Sequence, residues 1–160
     1  MDDIRYFNQL LYRMEEIFWH ELSDCAPWKT EYVGIDFIQA QGIEGKNEDQ
    51  VIRSCVERIE GAGLARKVDC AIGGKGILLK LHVEGCKLAH KETLLRQSGI
   101  KPYNCPIANM IRDQLIEKLG YETTYLADLA TDEPSGRCDL KVAIYATPDK
   151  VGEVSDWSKE

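Results

Sequence analysis

Apolar positions in this chain follow two periods, and the switch between them marks out the elements. From Asp2 to Leu22, Ile4, Phe7, Leu11, Met14 and Phe18 recur at steps of three and four. That spacing predicts an amphipathic helix whose stripe faces the core, with Trp19 and Leu22 extending its edge. The same stripe also suits a helix that pairs with its own copy, or one that continues a signalling helix from another domain. Asp24 to Thr30 reads as a loop. Tyr32 to Gln39 alternates, with Val33, Ile35 and Phe37 on one side, which predicts a strand. Asn47, with Gln50 three residues later, has the spacing of a helix start. The helix it opens turns Val51, Ile52, Cys55, Val56 and Ile59 inward and ends at Gly61 and Gly63.

The second half reads as hairpins around two helices. Leu64 to Ile72 and Gly76 to Glu84 both alternate, and Gly73-Gly74-Lys75 between them supplies the glycines a tight turn uses. Ile77, Leu79, Leu81 and Val83 share one face of the second strand, while Lys80 and His82 point the other way. Lys87 to Gln97 reads as helix, broken at Ser98-Gly99. Pro106 suits the first position of a further helix and makes Cys105 its N-cap. Ile107, Ile111, Leu115 and Leu119 form that helix's stripe, supported by Met110, and Gly120 stops it. Tyr121 to Ala130 is the next strand. The last strand places Cys138, Leu140, Val142 and Ile144 on one face after the turn at Asp132-Glu-Pro-Ser-Gly136. The polar tail from 147 to 160 carries Val151, Val154 and Trp157, enough to dock one more turn. The predicted order is α-β-α-β-β-α-α-β-β: an α+β fold with a mainly antiparallel sheet and helices packed on it, in a single domain over 1–160.

Composition narrows the partners. Hydrophobic residues make up 44% of the 160 and charged residues 29%, which are globular values. The net charge of -7 argues against nucleic acid or an anionic membrane as partner. No apolar run approaches the roughly 20 residues that span a bilayer, and Met1-Asp2-Asp3 lacks the basic and apolar regions of a signal peptide, so a cytoplasmic location is expected. In that compartment the six cysteines are not expected to form a disulfide framework.

Candidate chemistry gathers at three element boundaries. Cys86 follows a strand, Cys105 opens a helix and Cys138 opens the last strand. His90 lies four residues after Cys86, on the same face if that segment is helical. A helix N-terminus favours thiolate at Cys105. Three thiolates and one imidazole would complete a closed site for zinc, or the thiolates could hold iron. The competing reading is that Cys138 fills volume on an apolar strand face, as Cys55 would on its helix. A catalytic pair, Cys105 with His90 or His82 and a carboxylate at Asp113 or Asp128, is a further possibility that lacks any local nucleophile signature.

Cys86, then Asn104-Cys105-Pro106, then Gly136-Arg137-Cys138-Asp-Leu-Lys-Val142, resemble the layout of vinyl-4-reductase-type small-molecule-binding domains and of the related methanogen output domain. The resemblance covers about residues 50 to 146. It implies an α+β domain that binds a small, often hydrophobic ligand and commonly dimerises, with a cysteine-bound metal proposed for the group whose ligands here would be Cys86, Cys105 and Cys138. Family members often have a Glu and another Cys before the final turn. This chain has Leu126-Ala127-Asp128 there, which leaves His90 as the substitute ligand. Some relatives are hydrolases of small heterocycles, so a small Cys- or metal-dependent hydrolase is the alternative to a sensory binding domain. A ligand pocket is expected between the sheet and the helix beginning at Pro106, lined by Ile107, Met110, Tyr121 and Tyr125.

Overall fold

Two antiparallel hairpins share one sheet. The computed structural model of the chain describes residues 3–73, 78–121 and 123–145, and only the backbone at 123–125 and 145. The helices are α1 (Asp3–Leu22), α2 (Ala26–Thr30), α3 (Ile35–Gln39), α4 (Glu48–Gly61), α5 (Ala89–Gln97) and α6 (Pro106–Leu119). The strands are β1 (Lys67–Gly73), β2 (Leu78–Glu84), β3 (Thr123–Asp132) and β4 (Arg137–Tyr145), in the spatial order β1-β2-β4-β3, with every pairing antiparallel. The α+β class follows the hydrophobic pattern. The turn at Gly74-Lys75, the Tyr125 side chain, and Val151, Val154 and Trp157 lie outside the described residues.

Register separates the two faces of the sheet. One face stacks Cys70, Leu81, Leu140 and Leu129 in one cross-strand row and Val68, Val83, Cys138 and Thr131 in the next. Helices α4 and α6 lie on it and close the core with Val51, Cys55, Ile59, Ile107, Ile111 and Leu115. The other face carries Asp69, Lys80, His82, Asp139 and Lys141. Period-2 alternation therefore separated the two faces of β1–β4, because α4 and α6 cover the apolar one. The start of α4 is capped as its sequence predicts: Gln50 N–H donates to Asn47 Oδ1 at 3.0 Å.

Asp24 to Thr30, expected as a loop, coils into a 3-10 turn at Ser23–Cys25 and the short helix α2, and two further segments depart from expectation. Tyr32–Gln39 does not form a strand: Gly34 at φ 97° turns the chain, and Ile35–Gln39 coils into a short helix. Ile38, off the alternating side, is the residue that is buried. Spacing of three between Ile35 and Ile38 served a helix where alternation suggested a strand.

The second departure is in α1. Phe7 and Met14 are exposed, and Ile4, Leu11 and Phe18 are only part-buried. The residues of α1 that are buried are polar: Asn8 and Glu15, each 1% exposed. The helix lies on the domain by hydrogen bonds. Asn8 Nδ2 donates to Lys87 O at 2.8 Å, and Lys91 N–H donates to Asn8 Oδ1 at 2.9 Å.

Candidate functional site

The site forms where β2 leaves the sheet, β4 enters it and α6 begins. Gly85 (φ 62°) and Gly136 (φ 65°) cross closely there. A Cβ at Gly136 would sit 3.2 Å from Gly85 Cα, and Cys86 N–H donates to Gly136 O at 2.8 Å. That crossing folds Cys86 back onto Cys138, which already occupies the inner row beside Thr131. Gly136→Ala should therefore cost about 1–2 kcal/mol from left-handed backbone alone. A melting curve unchanged from the parent's would show that the crossing is not tight.

The three cysteines converge as a pair plus one. Cys86 hydrogen-bonds to Cys138, which raises the Cys86 thiol pKa and lowers that of Cys138. Cys105 is close enough to feel Cys138 but is fully enclosed, and burial pushes its thiol up to about 12. The expected thiolate at Cys105 is thus overturned. The Ala108 N–H does lower its pKa, but desolvation outweighs that contribution at a helix start sealed in the core. Cys55 and Cys70 are likewise pushed up to about 12 by burial. Iodoacetamide at about pH 7 should therefore label exposed Cys25 first and reach buried Cys55 and Cys105 only on unfolding. Labelling of Cys105 as fast as Cys25 would contradict this.

His90 does not join the sulfurs. Its Nδ1 pairs with Glu133 Oε1 at 2.7 Å across the β3–β4 turn. Among the described residues no three His, Cys, Asp or Glu side chains are arranged to hold an ion. As placed, Cys86, His90, Cys105 and Cys138 do not form the ligand set that the resemblance implies. His82 lies on the sheet's other face, its Nδ1 2.7 Å from Asp139 Oδ1, so it does not pair with Cys105 either.

Above the sulfurs lies a feature the sequence did not announce. Lys91 is entirely buried. Its Nζ donates to Glu15 Oε2 at 3.2 Å, to Asn104 O at 2.9 Å and to Glu92 Oε1. Burial pulls the ammonium pKa down, but Glu92 and Glu15 outweigh it and hold it above the ordinary lysine range. Glu92 is pushed up to about 7 by burial, with Lys91 only partly restoring it. Its Oε2 is buried with no hydrogen-bond partner, which accounts for the direction.

This charge knot borders a cavity of about 330 Å³. Trp19 and Trp28 and the ring of Tyr103 line it, with Asn104, Asn109 and Arg112 also on its wall. Trp19 and Tyr103 rings are 5.6 Å apart. The polar wall is already occupied. Asn104 Nδ2 donates to Glu15 Oε1 at 2.8 Å, and Tyr103 O–H donates to Glu15 O at 2.6 Å. Asn109 Nδ2 reaches Asn104 Oδ1 at 2.8 Å and also Thr30 O and Val33 O at 3.1 Å. Arg112 faces Glu31 at 3.6 Å.

Of the expected pocket residues, the three whose side chains are described do not line this cavity. Ile107, Met110 and Tyr121 are buried members of the core. Met110 packs under Gly34, and Tyr121 O–H donates to Glu48 Oε1 at 2.8 Å. The space expected between sheet and α6 is filled by their own side chains. The residues missed had a faint signal: Asn8 and Glu15 are seven apart on the side of α1 that also carries Leu11, Phe18 and Leu22. Polar groups on the packed side of a helix imply buried partners. Comparison with protein-family models, with curated proteins and with solved structures gives no match. Among the described residues no helix is long and apolar enough to cross a membrane.

Proposed function

We propose that this chain is a small-molecule-binding domain of the sensory type, and that its ligand occupies the cavity between Trp19, Trp28 and Tyr103. The observation that carries this is a ring-walled cavity of about 330 Å³ whose polar wall groups already have partners within the protein. Asn104 and Tyr103 bond to Glu15 and Asn109 to Asn104, while Arg112 lies beside Glu31 and Lys101 beside Asp128. Such a wall demands few hydrogen bonds from a guest and offers ring faces instead. The size lies at the low end of ligand sites. Those features suit a flat, mainly apolar compound of one or two rings, stacked against the indoles.

Occupancy would be felt by α1. Trp19 belongs to that helix and lines the cavity, and Tyr103 and Asn104 both bond to Glu15 one turn earlier. A guest that moves Tyr103 disturbs the bonds that hold α1. Output is then a shift in how α1 sits on the domain, with the ligand favouring the arrangement it fits better.

Saturation-transfer NMR on the purified full chain, with a set of one- and two-ring aromatic compounds, tests the reading. At least one compound should bind. Trp19→Ala together with Trp28→Ala should weaken it about tenfold or more, since each ring contact contributes about 0.5–1.5 kcal/mol beyond area burial. A melting curve run alongside confirms that the variant is folded. Failure of every ring compound to bind, or equal binding to the folded variant, would overturn the reading.

A further inference from the structure

The outer stripe of α1 carries large apolar side chains that nothing in the chain covers among the described residues. Tyr6, Phe7, Leu10, Met14 and Ile17 are each between 42% and 55% exposed. Phe7, Leu10, Met14 and Ile17 are spaced 3, 4 and 3, the interval of a two-helix seam. The stripe is distinct from the side that packs on the domain through Asn8 and Glu15.

We infer that this stripe is the seat of a second copy of the chain, with the two α1 helices antiparallel across a two-fold axis. The spacing reads the same in both directions. An axis midway between Leu10 and Met14 sets Phe7 against Ile17 of the second copy and Leu10 against its Met14, so one surface serves both sides. Area agrees with an association of the weak class. Five side chains about half exposed offer roughly 450 Å² per copy, or about 900 Å² together, within the weak range below about 1,200 Å² before the flanks add to it. The nearest flanking ion pair, Arg13 with Glu16, is satisfied within its own helix and leaves the stripe uncharged from Phe7 to Ile17. Exposed Asp3 and Glu21 extend the same line at its two ends. Those acidic ends, on a chain of net charge -7, turn away an anionic lipid surface. In the antiparallel pair Asp3 approaches Glu21 of the second copy, so salt should tighten the association rather than loosen it.

The inference stands apart from the ligand reading, since it uses the opposite side of α1 and needs no guest. Sedimentation equilibrium on the full chain should show a reversible monomer–dimer equilibrium at about 1–100 μM that tightens between about 50 and 500 mM NaCl. Leu10→Glu and Met14→Lys should each be monomeric with melting temperatures near the parent's, because both side chains are exposed. Mixed one to one, the two variants should dimerise again, since Glu at 10 meets Lys at 14 only in the antiparallel pair. A parent that stays monomeric at about 100 μM, variants that dimerise like the parent, or a mixture that stays monomeric would each overturn the inference.

Discussion

Lys91→Met should lower the unfolding free energy by about 3–5 kcal/mol, the cost typical of breaking a buried ion pair by removing one partner. Methionine fills most of the volume, so the loss is electrostatic. Glu15 and Glu92 stay behind at 1% and 3% exposure, and Asn104 O loses its donor. Against a total of about 5–15 kcal/mol for a domain this size, the variant would be close to unfolding. Urea denaturation at neutral pH measures it. The same substitution should destabilise less near pH 4, where the Glu92 carboxyl, pushed up to about 7 by burial, is protonated and no longer sits as an unpaired charge.

Glu92→Gln should act in the opposite direction. The Glu92 carboxyl titrates at about 7 in the fold, against 4.5 for the free side chain. Between those values the folded chain holds a proton that the unfolded chain has released. Stability from this group is therefore full below about pH 4.5, falls as pH rises through that window, and stays low above about 7. Glutamine mimics the protonated form, still accepts from Lys91 Nζ and carries no charge to desolvate. At about pH 8 the variant should be the more stable by about 3 kcal/mol, and the gain should vanish near pH 4. A variant that is less stable at pH 8 would mean that the Glu92 charge is needed to neutralise Lys91, with Glu15 alone insufficient.

The two predictions concern residues whose roles the sequence conceals, and the reason is physical. Periodicity reports where apolar side chains fall. It located the hairpins because Leu79, Leu81 and Val83 and their partners Cys138, Leu140 and Val142 sit on the sheet face that α4 and α6 cover. It located α4 and α6 because Asn47 and Pro106 mark helix starts by local geometry. It also drew Cys86, Cys105 and Cys138 to one end of one sheet, since each borders an element that ends there. Apolar count could not show that α1 turns polar groups inward and leaves Phe7 and Met14 in solvent, because a charged residue is buried only where distant partners meet it. Glu15 finds Lys91 and Asn104, 76 and 89 positions away. Burial likewise decided the Cys105 thiol: a helix start favours thiolate at a surface, and this one is sealed. The cavity escaped the sequence for a related reason. Its wall is drawn from α1, α2, the loop before Cys105, α6 and β3, and no single stretch carries its pattern.

A double-mutant cycle on Glu15 and Lys91 tests most directly whether α1 is held to the domain, and joined to the cavity wall, by buried polar groups. The parent, Glu15→Gln, Lys91→Met and the double variant would be unfolded in urea at neutral pH. The charge knot predicts that the double variant loses at least about 2 kcal/mol less than the sum of the two single losses. Losses that add within about 0.5 kcal/mol would mean that the two residues do not depend on each other, and that α1 is held by something else.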